Sequence, residues 1–491
     1  MMPENVSFNQ IPVDIRTPGQ YIEIDNSRAV SGLPNMPRKM LVLGQRLSTG
    51  SVPAGQIVQV TSREQAIAYF GRGSQLAEMV AAARAANETS DIRALALDDL
   101  VAGVAATKTI TVTGPATQTG ILNLWIGGQR IRINIASGTA ATAIATAINA
   151  AVNAALDLPV TSAVAGAVVT LTARHKGECG NAIDVRPNYY ADEVVPGGVG
   201  ITVAAGTAGT GNPDVAAAIA AIGGDQFYTI VSPWTDSANL TALKAEMDAR
   251  WGPMSQRTGH VFAGLVGTQS ALAAIGATHN SPHLTFVGVN GSPISPWVRA
   301  AVIAAVCEAS GSIDPARPFQ TLPLPGLLPP VETARFTRLE RDLLLRDGIS
   351  TTVVDAGGNE LIERVITTYQ TNQYGVEDIS YLDLETKWTV DYIRYAVRAR
   401  IALRYPRFKL ANDGTQYGAG QAIVTPRVIR NELLSLFREL ELAGLVENFE
   451  QFKRDLLVVR SNQDPNRVNA VIPPDIINQF RVFAAAVQFR L

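Results

Sequence analysis

The chain has 491 residues, a formal charge of −2, 47% hydrophobic residues and only 17% charged ones. That length allows about three domains, and the near-neutral balance offers no global attraction to nucleic acid or to an anionic lipid surface. No apolar run approaches the roughly 18–20 residues that span a bilayer, and the first residues lack the basic and apolar regions of a signal peptide.

Residues 1–30 read as an N-terminal arm, in which Val13 and Ile15, then Tyr21, Ile22 and Ile24, form short strand-prone runs. Residues 31–102 open an α/β domain. A strand is expected over 39–44 and a helix from Ser62, with Glu64 in its first turn, through 69. A second helix over 74–86 places Leu76, Met79, Val80 and Ala83 at helical spacing, and a strand follows over 92–97. Composition then shifts to Thr, Ala, Gly and Val, and 103–212 reads as an inserted β-rich outer domain. It holds an alternating strand over 108–113 and a hairpin of 122–126 and 129–135 around Gly127-Gly128. A helix over 140–155 and strands over 160–164 and 168–173 come next, closed by a Gly-rich linker, 197–211. Residues 213–330 resume the α/β pattern. Helices are expected over 213–222 (with Pro213 in the first turn), 236–251, 269–276 and 295–310, and strands over 227–231, 259–266 and 284–289. Strands alternating with helices imply a parallel, doubly wound sheet.

The Pro-rich stretch 315–330 marks a boundary. Residues 331–478 then carry a helix over 332–346, a hairpin of 350–355 and 361–367, long helices over 384–405 and 426–445, and strands over 455–460 and 468–472. Residues 479–491 form a C-terminal strand arm, with Phe480, Val482, Phe483, Val487 and Phe489 making both faces apolar, as suits a strand covered on both sides. Two strand-forming tails suggest subunits that exchange strands with neighbours; the alternative is that each tail pairs within its own domain. A surface so poor in charge also fits a large assembly better than a free monomer.

Chemistry is sparse. His279 and His283 have a ligand-like spacing, but Pro282 between them breaks a helix and no acidic or Cys partner is near. His175 and Cys179 read as a surface turn, and Asp98-Asp99 and Asp192-Glu193 as solvated turn residues. Cys179 and Cys307, far apart, fit reduced structural thiols. Neither G-x-x-x-x-G-K-[ST], nor a G-x-G-x-x-G after the first strand, nor G-x-S-x-G occurs. No catalytic residue, cofactor or metal is therefore expected. A basic stripe, Arg394, Arg398, Arg400 and Arg404, interleaves with Tyr392, Tyr395, Ile401 and Leu403; it reads either as a contact surface for an acidic partner or as a solvated helix face.

The segments 392–395, 398–401 and 404–414 (Arg404-Tyr405-Pro406-Arg407-Phe408-Lys409-Leu410-Ala411-Asn412-Asp413-Gly414), with 425–430 and 469–475, resemble the tail sheath proteins of contractile bacteriophages. The opening, Phe8-Asn9-Gln10-Ile11-Pro12 with Thr17-Pro18-Gly19, is similar to their Mu-like branch. The resemblance implies a multidomain α/β fold in which the α/β sheet domain carries the inserted β-rich domain. An α+β inner domain is built from the C-terminal part and the N-terminal arm. It implies a homo-oligomer, a helical or stacked-ring sheath around a tail tube protein, bounded by baseplate and tail terminator proteins, in a virion tail assembled in the host cytoplasm. Such a sheath is metastable and contracts without a nucleotide to drive the tube through the host envelope. An inner helix faces the tube, for which Arg394, Arg398, Arg400, Arg404, Arg427 and Arg430 are candidates. Neither nucleic acid binding nor membrane insertion is implied. Two other readings remain open on the residues alone: an α/β enzyme holding a small molecule or nucleotide at the sheet's switch point, and a tube or adhesin-like protein whose insertion binds a receptor.

Overall fold

The computed structural model describes residues 16–22, 32–418 and 420–490. The chain divides into a larger unit, residues 38–387, and a smaller one made of 1–37 and 388–491.

The larger unit opens with β1 (Lys39–Gln45), the short β2 (Ile57–Gln59), α1 (Arg63–Phe70), α2 (Gln75–Ala86) and β3 (Asp91–Leu97). Ser62 and Ser74 cap the two helices, each hydroxyl accepting an N–H 3.2 Å away, from Gln65 and Ala77. An insertion follows: β4 (Ala105–Thr113), β5 (Gly120–Ile126), β6 (Gln129–Ile135), α3 (Ala141–Ala154), β7 (Val160–Ala165), β8 (Val168–Lys176), β9 (Val185–Pro187) and β10 (Gly200–Ala205). These strands make two antiparallel sheets, ordered β10-β4-β8-β7 and β6-β5-β9. Inside lie Ile110, Leu124, Ile133 and Val169, with Ile144, Ile148 and Val152 of α3. Residues 200–205, expected as linker, are instead strand β10, paired with β4 from Gly200↔Thr113 to Ala205↔Lys108. The flanking glycines had masked the alternation Ile-Thr-Val. The insertion's ends meet at Val104 and Thr210, which exchange two backbone hydrogen bonds of 2.8 and 3.1 Å.

The chain then returns through α4 (Ala216–Ile222), β11 (Thr229–Val231), α5 (Ser237–Trp251), β12 (His260–Val266), α6 (Gln269–Gly276), β13 (Leu284–Val289), α7 (Pro296–Ile313), α8 (Arg338–Arg346), β14 (Ile349–Val354) and β15 (Glu360–Arg364). The helix expected from residue 213 starts only at Ala216, so Pro213 precedes it. One eight-stranded sheet runs β15-β14-β13-β12-β11-β1-β3-β2. It is parallel from β14 to β3 and closed by antiparallel strands at both edges. Leu41, Leu43, Ile230, Val261 and Phe286 bury one face against Leu240, Leu243, Met247, Leu272 and Leu344 of α5, α6 and α8. The alternate residues Met40 and Val42 face α2 and α7, as the strand period requires. Gly264 admits α7: a Cβ there would lie 2.0 Å from the Pro296 carbonyl oxygen. The hairpin β14–β15, expected beyond a boundary at residue 330, belongs to this sheet through Phe286↔Ile349 and Val287↔Ser350. Pro323, in the proline-rich stretch, bridges to Leu361 of the same sheet.

The helix α9 (Leu384–Arg404) begins in the larger unit and continues in the smaller. Beyond it come β16 (Lys409–Leu410), β17 (Ile423–Val424), α10 (Pro426–Leu442), β18 (Val446–Glu447), α11 (Phe449–Asp455), β19 (Leu457–Arg460), β20 (Val468–Val471) and β21 (Asp475–Ile476). Thr425 caps α10 and Pro426 takes its first turn. Ile429, Leu433, Leu436, Phe437 and Leu440 form a buried stripe, with Phe437 stacked on Phe452 of α11 at 4.0 Å. Tyr392 and Tyr395 tie down residues 34–35, donating to the carbonyls of Pro34 and Asn35 at 3.1 and 3.0 Å.

Candidate functional site

Three places test the expected surfaces: the tails, the arginine stripe and the switch point. The chain's own pairing ends at β21, which joins β18, and at Ile477, whose N–H donates to the Leu445 carbonyl at 3.3 Å. Among the described residues, 478–490 then joins no ladder, so the expected terminal strand is not formed within the chain. Its period-two pattern is not used in a ladder among the described residues. Phe480, Val482, Phe483, Val487 and Phe489 are 73–90% exposed. Tyr21 is 43% and Ile22 87% exposed, while Val13, Ile15 and Ile24 lie outside the described residues. Among the described residues, the β19–β20 hairpin is a sheet of two strands that exposes Leu457, Val459 and Val471. A two-stranded ribbon with apolar exposure is a ready template for further strands.

The arginines divide by environment. Arg400 is buried and gives its guanidinium to Glu432, at 3.0 Å, and to Glu439, both on α10. Burial alone would lower its pKa, but the two carboxylates outweigh that and raise it. Arg404 lies 3.8 Å from Glu432, and Arg394 3.6 Å from Asp391 one turn before it. Arg430 donates to the Leu456 carbonyl at 3.4 Å and to that of Lys453, closing the last turn of α11. Arg398 and Arg427 are exposed. The stripe is thus partly a clamp between α9 and α10 rather than one uniform outer face.

At the switch point, between β1 and β11, the strand ends meet the root of the insertion. The buried Gln45, ending β1, donates from Nε2 to Asp99 Oδ1 and to the Lys176 carbonyl, both at 2.8 Å. His175 Nε2 accepts the Gln75 N–H at 3.1 Å, which leaves Nδ1 to donate to Asp99 Oδ1 at 2.8 Å. Burial would raise the Asp99 pKa, but His175, the Lys176 N–H and Gln45 together hold it below the usual carboxylate value. Cys179 donates to the Pro233 carbonyl at 3.3 Å, and burial pushes its thiol up to about 12, which makes it a poor nucleophile. The buried His175 and the partly buried Cys179 and Asp99 are therefore hydrogen-bonded into a polar knot and not surface turns. Glu193 is likewise no solvated turn: it accepts from Trp125 Nε1 at 2.8 Å and pairs with Arg130 at 3.1 Å. His283 and His279 pack edge-to-face against Trp251 and Phe286. No group of metal-binding side chains occurs among the described residues, nor is any described helix long and apolar enough to cross a membrane.

Family models match the chain in three blocks: a phage tail sheath protein beta-sandwich domain over residues 101–210, a phage tail sheath protein central domain over 208–368 and a phage tail sheath C-terminal domain over 376–490. Among solved structures, a sheath tail protein from Desulfitobacterium hafniense is similar with a TM-score of 0.48 and 14% identity, over 94% of this chain and 100% of that one. The contracted helical sheath of the anti-feeding prophage is similar at a TM-score of 0.47 and 12% identity, over 96% and 99%. The Mu-like prophage FluMu tail sheath protein of Haemophilus influenzae is 45% identical over 487 residues, 99% of this chain and 100% of that protein. Aligned end to end with such a relative, the chain belongs to the phage tail sheath protein family.

Proposed function

We propose that this chain is the structural subunit of a phage contractile tail sheath, working by polymerisation in a virion tail. The observation that carries the reading is the run Phe480–Phe489, whose large apolar side chains are 73–90% exposed in the single subunit. Such surface is costly in water, at about 25 cal/mol per Å², and a strand donated to a neighbour covers it. The β19–β20 hairpin of an adjacent copy, with Leu457, Val459 and Val471 exposed, is the acceptor that fits. Each added ladder bond contributes about 0.5–1.5 kcal/mol net, so a handful per arm keeps subunits linked while other contacts slip. The N-terminal arm, with Tyr21 and Ile22 exposed, makes the second link, and the inner domain unites both ends of the chain.

The tube contact falls to Arg398 and Arg427, the exposed members of the six arginine candidates. Exposed charges make a weak, screened contact, suited to a surface that must let go when the sheath widens. Energy for contraction is held as a kinetically trapped assembly, released on contact with the baseplate, and the tail terminator bounds the other end. The enzyme reading finds no support in the family to which the chain belongs.

Removing residues 479–491 tests the reading. The truncated chain should unfold like the full one yet sediment as a monomer and form no tubes in negative stain, whereas the full chain forms them. A truncated chain that still polymerises overturns strand donation.

A further inference from the structure

Elsewhere on the same sheet a concavity stands open. Past the end of β13 is a cavity of about 200 Å³, lined among others by Val289, Asn290, Arg335, Phe336, Arg341 and Val353. Its walls are of two kinds: Val289, Phe336 and Val353 are apolar, while Asn290, Arg335 and Arg341 bring donors. Arg335 uses Nε on the Pro330 carbonyl at 3.0 Å and has no ion-pair partner among the described residues. Arg341 gives Nε to Glu363 at 2.8 Å and Nη1 to the Phe336 carbonyl at 2.7 Å, which leaves Nη2 to spare. The Asn290 side chain makes no hydrogen bond among the described residues. Gly291, at φ 65°, brings the backbone against the segment that carries Arg335, since a Cβ there would stand 2.4 Å from that of Ala334. The Arg341 charge is matched by Glu363, and that of Arg335 is unmatched.

We propose that this cavity binds a small organic anion, a carboxylate carrying a compact apolar body. The planar guanidinium fork fits a carboxylate, and the apolar walls cover the body, which a volume below the several hundred Å³ of drug-sized sites limits to about one ring. Inorganic phosphate would satisfy the guanidiniums but leave the apolar walls wet. The site lies within one subunit, so it holds whether or not the assembly reading does.

Calorimetric titration of the full-length chain with benzoate, benzamide, acetate and inorganic phosphate tests it, alongside the Arg335→Met variant. Arg335 is exposed and bonded to a single carbonyl, so the variant should unfold at the same temperature as the parent. Benzoate should bind and raise the unfolding temperature, acetate and phosphate should bind more weakly, and benzamide should not bind. Arg335→Met should weaken benzoate about tenfold or more. Absence of benzoate binding, tighter binding of phosphate, or an unchanged affinity in Arg335→Met would each overturn the proposal.

Discussion

Single residues separate the parts of this subunit that hold it together from the parts left exposed. Arg400 and Arg398 lie two positions apart on α9, yet one is buried between two glutamates and the other is exposed. Arg400→Met should cost about 3 kcal/mol in urea unfolding, because it removes the counter-charge of Glu439 and leaves Glu432 only the longer contact to Arg404. Arg398→Glu and Arg427→Glu should change stability by no more than about 0.5 kcal/mol while reducing co-assembly with the tail tube in a pull-down. The arginine stripe was plain in the sequence, but its division was not: helical spacing fixes which residues share a face, and only the partner helix decides which face is covered. Glu78 carries a pH signature. Desolvation outweighs its hydrogen bond from Trp297 and pushes it from 4.5 up to about 7. The folded state thus binds a proton that the unfolded chain has already released. The resulting stability is fully present below about pH 4.5 and is lost as pH rises through about 7. Glu78→Gln should flatten the dependence of the unfolding midpoint between pH 5 and 8; a slope identical to the parent's would show that the carboxyl titrates normally.

At the level of elements, legibility followed the range of the interactions. The caps at Ser62, Ser74 and Thr425 and the Gly127-Gly128 hairpin are local chemistry: the first two helices and the hairpin form within a residue or two of their expected bounds, and α10 starts where expected but ends three residues early. What stayed hidden depends on distant chain. Strand β14 is in the central sheet because β13, some sixty positions earlier in the chain, pairs with it, and a proline-rich stretch between them looked like a boundary. Two- and three-residue strands such as β9, β18 and β21 carry too few side chains to show a period. The polar knot was missed for the same reason: Gln45, Gln75, Asp99 and His175 come from four separate segments and meet only once the sheet is formed. Because the knot joins the insertion's root to the central sheet, Asp99→Ala should loosen that joint first. Limited proteolysis near residues 100–104 and 206–212 should accelerate while the unfolding midpoint of the central sheet stays within about 1 kcal/mol of the parent's.

For the whole molecule, if the exposed C-terminal run adds to the β19–β20 ribbon of a neighbour as proposed, every copy is both donor and acceptor. A head-to-tail contact of that kind generates a ring where its rotation closes and a filament where it does not. Tube formation should therefore fall off when Val459 and Val471 are both changed to lysine, with the monomer's circular dichroism unchanged. The meeting of Val104 with Thr210 has a practical sequel. Since the inserted module enters and leaves through neighbouring backbone positions, a different folded payload whose ends lie equally close could be spliced there. Repeated along a polymer, that joint would serve as a regularly spaced display scaffold.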